Sequence, residues 1–115
     1  MTATDLFVWG LVVHLLADFF LQNEWMALNK VSLRHPAAWV HSGIHLLVLL
    51  LVFSPLVSVL LAVSHLLIDT RVPLQVWRRF YRQTTEGPIM IPFGLWQDQA
   101  AHIVMLALAA LLSVR

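Results

Sequence analysis

Cysteine is absent from this chain of 115 residues, which excludes disulfides, thiolate metal sites and cysteine nucleophiles. Charge is nearly as scarce: 11% of residues are charged and 60% are hydrophobic, against about 25% charged in an ordinary soluble domain. The mean hydropathy of +0.81 points to a bilayer as the solvent. A formal net charge of +1 offers no electrostatic footprint for nucleic acid or for an acidic polymer. Gly-rich phosphate loops, Gly-x-Ser-x-Gly elbows and Glu-x-x-His pairs of the ferritin-like type are all missing. At this length the chain is expected to form one domain around a single core or a single buried site.

Uninterrupted spans of bilayer length are missing too. Four apolar runs, Leu6 to Leu21, Ala37 to Phe53, Leu56 to Ile68 and Ala100 to Val114, each fall short of the roughly 20 residues that cross a typical hydrocarbon core. Extended into flanking residues, they predict helices over 6–22, 37–53, 56–70 and 97–114. Ser54 and Pro55 make the middle two an antiparallel hairpin, since proline suits only the first turn of a helix. The start, Met1 to Asp5, lacks the basic region of a signal peptide, so the first run is expected to be a retained membrane segment.

The linkers add an orientation. Lys30 and Arg34 lie in segment 23–36, and Arg71, Arg78, Arg79 and Arg82 in segment 71–96. The positive-inside rule makes both segments cytoplasmic, puts both termini outside and suits a bacterial inner membrane. Over 73–83, Pro73, Val76, Trp77 and Phe80 share one helical face and Gln75, Arg78, Arg79 and Arg82 the other, the pattern of an interfacial amphipathic helix. Residues 84–96, broken by Gly87, Pro88, Pro92 and Gly94, are expected to fold back over the site as a lid. The expected architecture is therefore all-α: a four-helix transmembrane bundle of two antiparallel hairpins, with an interfacial helix between the third and fourth.

What the chain does contain is a repeated spacing. His14/Asp18, His41/His45, His65/Asp69 and Asp98/His102 each place two metal-capable side chains four residues apart, on one face of a helix. Counted from the cytoplasmic helix ends, all eight fall within about two turns of one membrane surface. A single histidine in an apolar helix is usually an interhelical hydrogen bonder. Eight matched in depth predict one shared site, because intramembrane Asp and His are costly unless paired. Three aspartates, two divalent ions and a bridging hydroxide sum to zero charge, which suits a low-dielectric site and favours two ions over one. Nitrogen and oxygen donors without sulfur suit Zn, Mn or Fe. Gln22 and Gln99 are candidate supports beside the ligands. Ser42 and Ser64 read as helix-packing residues, His35 as a surface residue, and Trp9, Trp25, Trp39, Trp77 and Trp96 as the aromatic belt. A faint repeat relates His14-Leu-Leu-Ala-Asp18 to His65-Leu-Leu-Ile-Asp69.

The four motifs in order, with Gln22 and Gln99, resemble the bacterial membrane family called domain of unknown function 3307. The resemblance spans nearly the whole chain and implies an integral membrane helical protein with no settled activity. A looser similarity, in architecture only, links the chain to bacterial membrane-bound metal-dependent hydrolases.

The leading expectation is a dinuclear metal centre that activates water to hydrolyse a lipid-linked phosphate or ester at the cytoplasmic face. Arg78, Arg79 and Arg82 would hold the headgroup. The expected partners are the lipid bilayer, a lipid-linked substrate and further copies of the chain, as a homo-oligomer. The same ligands could serve oxidative di-iron chemistry, a divalent-metal or proton transporter, a proton relay, a purely structural hydrogen-bonded network, or a structural metal clasp. A transporter would continue its polar residues to the opposite face, whereas 46–53 and 56–63 are almost wholly apolar.

Overall fold

Thr2 begins the first helix: its hydroxyl accepts from the Asp5 amide at 3.1 Å while the Asp5 carboxylate accepts from the Thr2 amide at 2.9 Å, a reciprocal cap. In the computed structural model, which describes residues 1–83 and 86–115, every regular element among the described residues is an α-helix. In chain order they are α1 (Ala3–Phe19), α2 (Glu24–Asn29), α3 (Pro36–Leu49), α4 (Pro55–Asp69), α5 (Val72–Phe80) and α6 (Met90–Ser113).

The expected bounds shift for local reasons. The cap at Thr2 starts α1 three residues before Leu6, and α1 ends at Phe19 instead of Gln22. Asn23, accepting from the Met26 amide at 3.0 Å, opens a short helix α2 inside what sequence reading leaves as linker. Pro36 and Pro55 occupy the first turns of α3 and α4, capped by His35 and Ser54, and the hairpin between them forms as expected. The amphipathic helix expected over 73–83 also forms, as α5, over 72–80. Arg71 adopts a left-handed backbone, φ 68°, and α4 and α5 meet at 65° across it.

The largest departure concerns residues 84–96, expected to be an irregular lid. Thr84 and Thr85 lie outside the described residues. From Met90 onward the chain is helical and continuous with α6, so the fourth helix begins seven residues before Gln97. Pro92 is no obstacle, because it falls in the first turn, where backbone N–H groups have no intrahelical partner to lose.

Helices α1, α3, α4 and α6 close a ring in which α1 and α4 each pack against both α3 and α6; α2 leans on α3 and α5 on α4. One end of the ring is an apolar core of Leu6, Val13, Leu49, Phe53, Leu61, Leu106, Ala109 and Ala110. Here α1 meets the α3–α4 turn closely: a Cβ built on Gly10 would lie 3.0 Å from Phe53 Cε2. The other end is polar inside, with His14, Asp18, His41, His45, His65, Asp69 and His102 all buried. Outward faces are apolar, exposing such residues as Trp9, Leu47, Leu60 and Leu112. Among the described residues, α6 alone is long and apolar enough to cross a bilayer; α4 and α5 meet that test only as a bent pair.

Candidate metal centre

Each ring helix delivers one of the i, i+4 pairs to the interior. Asp18 sits at its centre: Oδ1 lies 2.9 Å from His45 Nε2, 3.2 Å from His41 Nε2 and 3.7 Å from His65 Nε2. The His65 and His41 Nε2 atoms are 3.0 Å apart. Four donors from three helices thus surround one small volume. Their spacing is that of a coordination shell, since four donors about 2.0–2.1 Å from a tetrahedral ion lie about 3.3 Å from one another.

A second group adjoins the first. Asp69 Oδ2 lies 2.9 Å from His65 Nε2, and Asp69 Oδ1 lies 3.3 Å from His102 Nε2. His65, Asp69 and His102 could hold a metal ion, as could Asp18, His41, His45 and His65. His65 belongs to both sets, but its Nε2 has a single lone pair and can bind one ion only. The rings are packed tightly: those of His45 and His65 stack at 3.6 Å between centroids, and those of His65 and His102 at 4.1 Å.

All eight expected ligands therefore gather at one end of the ring, six of them in these two groups. The other two flank them: His14 Nε2 lies 3.3 Å from Asp18 Oδ2, and Asp98 Oδ1 lies 3.6 Å from His102 Nε2. Two depths differ from those counted along the sequence. Asp69, expected at the surface end of its helix, is only 3% exposed. Asp98, expected in the first turn of its helix, sits in the third turn of the longer α6.

Gln99 ties the flank to the centre. Its carbonyl accepts from His14 Nε2 at 3.2 Å, and its amide donates to Asp18 Oδ2 at 3.2 Å and to Asp98 Oδ2 at 3.5 Å. It therefore orients ligand side chains in the way expected of a second layer around a metal. Gln22 instead donates to the Asp18 backbone carbonyl at 3.3 Å, closing the end of α1. The Ser42 hydroxyl donates across from α3 to the Ala62 carbonyl of α4, which fits a packing role, whereas the Ser64 hydroxyl donates within its own helix to the Leu61 carbonyl.

Above the cluster opens a cleft of about 540 Å³ whose floor includes Asp18, Asp69, Asp98 and Gln99. Its walls carry four cations: Lys30, Arg71, Arg78 and Arg79. The first two were legible in the sequence only as linker charge. Lys30 Nζ lies 3.8 Å from Asp69 Oδ1, a contact that requires α2 to fold against α3. Arg78 is buried and donates to Gln97 Oε1 at 2.7 Å, and Gln97 donates in turn to Gln83 Oε1 at 3.0 Å. That chain pins α5 to α6, so Arg78 shapes the wall as much as it faces the cleft. Arg82, in a left-handed conformation of φ 56°, is not among the described residues that line it. Met90, Ile91, Gly94 and Leu95, from the segment expected to be a lid, form a side wall.

Comparison with the curated proteins and with the solved structures finds no match. A family model does match, over residues 6–115, and its span holds all four paired motifs, the six helices apart from the first three residues of α1, and the entire cleft. The chain belongs to the family described as protein of unknown function DUF3307.

Proposed function

We propose that the chain is a membrane-embedded protein with a dinuclear divalent metal centre, of Zn, Mn or Fe, that hydrolyses a lipid-linked phosphate or ester at the cytoplasmic face. The observation carrying this reading is the clustering of Asp18 Oδ1 with the Nε2 atoms of His41, His45 and His65, at separations of 2.9, 3.0, 3.2 and 3.7 Å, beneath an open cleft. Nitrogen and oxygen donors with that spacing fit a borderline divalent ion. The second ion would rest on Asp69 and His102, with Asp98 completing its set.

Burial favours the bilayer. Polar side chains face the ring interior and large apolar ones face outward, the reverse of a water-soluble bundle. Helix α5 extends the pattern, with Val76 60% and Phe80 79% exposed while Arg78 is buried. The basic residues Lys30, Arg71, Arg78 and Arg79 of the two linkers line the cleft at the cluster end, which the positive-inside rule makes cytoplasmic.

Two bound divalent ions supply Lewis acidity and lower the pKa of water. The protein's own groups do the rest. Asp98, the part-exposed outermost donor of the second set, would accept a proton from an entering water through whichever oxygen the ion leaves free, and Gln99 holds Asp18 and His14 in position. The water oxygen bonds to phosphorus or acyl carbon, the bond to the leaving oxygen breaks, and that oxygen departs with the proton that Asp98 took from the water, which returns Asp98 to its carboxylate form. Transport is disfavoured because the interior beyond the histidines is an apolar core that includes Leu6, Val13, Leu49, Leu61 and Leu106.

Metal analysis of detergent-purified, metal-loaded protein tests the reading. About two tightly bound transition-metal ions per chain is the expected result, and fewer than about one would overturn it. A liposome flux assay and chelator-treated protein separate the rivals. Flux abolished by His45→Ala without hydrolysis would indicate transport. Loss of folding on chelation, with no hydrolysis, would indicate a clasp.

A further inference from the structure

The cleft is asymmetric in a way that the metal cluster does not require. Its cationic groups come from three separate segments: Lys30 from the end of α2, Arg71 from the bend before α5, and Arg79 from α5 itself. Arg71 reaches this position through a left-handed backbone, φ 68°, which residues bearing a β-carbon seldom adopt. The cleft is also lined by exposed apolar side chains, with Phe19 62%, Ile91 80% and Leu95 58% exposed. Cations thus face a negatively charged floor across a cavity whose rim is greasy.

We infer that this cleft binds the phosphate end of a membrane amphiphile, with Lys30, Arg71 and Arg79 holding the phosphate and Phe19, Ile91 and Leu95 flanking the chain. The inference rests on the site reading above and narrows its substrate from phosphate or ester to phosphate. A neutral ester gives Arg71 and Arg79 no charge to pair with, and leaves Lys30 only its contact with Asp69. A phosphate matches the guanidinium fork and the ammonium charge. The same cations offset the approach of an anion to Asp18, Asp69 and Asp98. Apolar lips continuous with the exposed outer faces of α1 and α6 let the chain remain in the leaflet while its head enters sideways. Arg78 is a positioning residue, because its buried bond to Gln97 sets the distance between α5 and α6.

The test is a binding titration by native mass spectrometry on metal-loaded, detergent-purified protein, with metal content measured on the same sample. The probes are dioleoyl phosphatidic acid, dioleoylglycerol with the same chains and no phosphate, and inorganic phosphate. Phosphatidic acid should bind at least about tenfold more tightly than either. Arg71→Gln with Arg79→Gln should remove about tenfold of that affinity or more. The exposed Arg79→Gln alone, which makes no demand on the bend, should remove part of it, and Arg34→Gln in the α2–α3 linker should change it by less than about twofold. Equal binding of phosphatidic acid and dioleoylglycerol would overturn the phosphate assignment. Inorganic phosphate binding as tightly as phosphatidic acid would overturn the chain assignment. Binding unmoved by the double substitution would overturn the residues. A metal count below about one per chain alongside arginine-dependent lipid binding would sink the metal centre and leave this inference standing.

Discussion

Asp18→Asn keeps the side-chain volume at the centre of the cluster and removes its charge. In the structure Asp18 Oδ1 meets three imidazole nitrogens at 2.9, 3.2 and 3.7 Å, and Oδ2 meets Gln99 at 3.2 Å. Four-ligand structural zinc sites bind with about 10–16 kcal/mol, or about 2.5–4 kcal/mol per ligand if shared evenly. An amide oxygen is a poor substitute, so the loss should approach about 3 kcal/mol, close to two orders of magnitude in Kd. A hydrogen-bonded network without metal predicts something else. The substituted amide could still accept from an imidazole N–H, and the protein would lose about 1–3 kcal/mol of stability with no dependence on metal. Competition titration against a chromophoric chelator at fixed pH, with thermal unfolding followed in parallel, separates the two. Wild-type and Asp18→Asn protein binding metal within about threefold of each other would refute the reasoning, as would a melting temperature of the wild type that metal does not move.

Three further outcomes follow from other parts of the molecule. Gln99→Ala removes the bridge between His14, Asp18 and Asp98 without removing a ligand, so metal affinity should fall by about tenfold, less than the loss in Asp18→Asn; an equal or larger loss in the same titration would make Gln99 itself a ligand. Gly10→Val brings new methyls against the Phe53 ring, already 3.0 Å from an added Cβ, and should cost about 1–3 kcal/mol in denaturant unfolding with metal stoichiometry unchanged. His35→Ala deletes the Nδ1 acceptor 3.0 Å from the Ala37 amide and should cost about 1 kcal/mol; a change in metal stoichiometry would show that the cap of α3 also governs the site.

A ring with a polar end and an apolar end divides the work between stability and chemistry. Leu6, Phe53, Ala109 and Ala110 pack the apolar end of the ring, so perturbations there should be read in unfolding, whereas Leu49 and Leu106 also line the small pocket beside His45 and His102. Perturbations at Asp18, His65 or Gln99 should be read in metal binding. His65 is the most connected of the proposed ligands, lying in both donor groups and stacked between His45 and His102.

The four pairs were legible from the sequence because i, i+4 spacing on a helix is local geometry, and their shared depth followed from counting turns. Proline positions were equally local, which is why Pro36 and Pro55 marked helix starts correctly. Pro92 and Gly94 misled in the opposite direction: composition alone reads them as breakers, while their tolerance depends on falling in the opening turns of α6. The contact of Lys30 with Asp69, the aim of Arg71 into the cleft and the bridging by Gln99 are pairings between segments far apart in the chain. No periodicity encodes them, because each depends on how α2, α5 and the start of α6 dock on the ring. Residue spacing by itself determined which side chains could meet; only the packing of four helices around one another decided that Asp18 and His65 stand at the centre, that His14 and Asp98 stand at the edge, and that a cationic cleft opens directly above them.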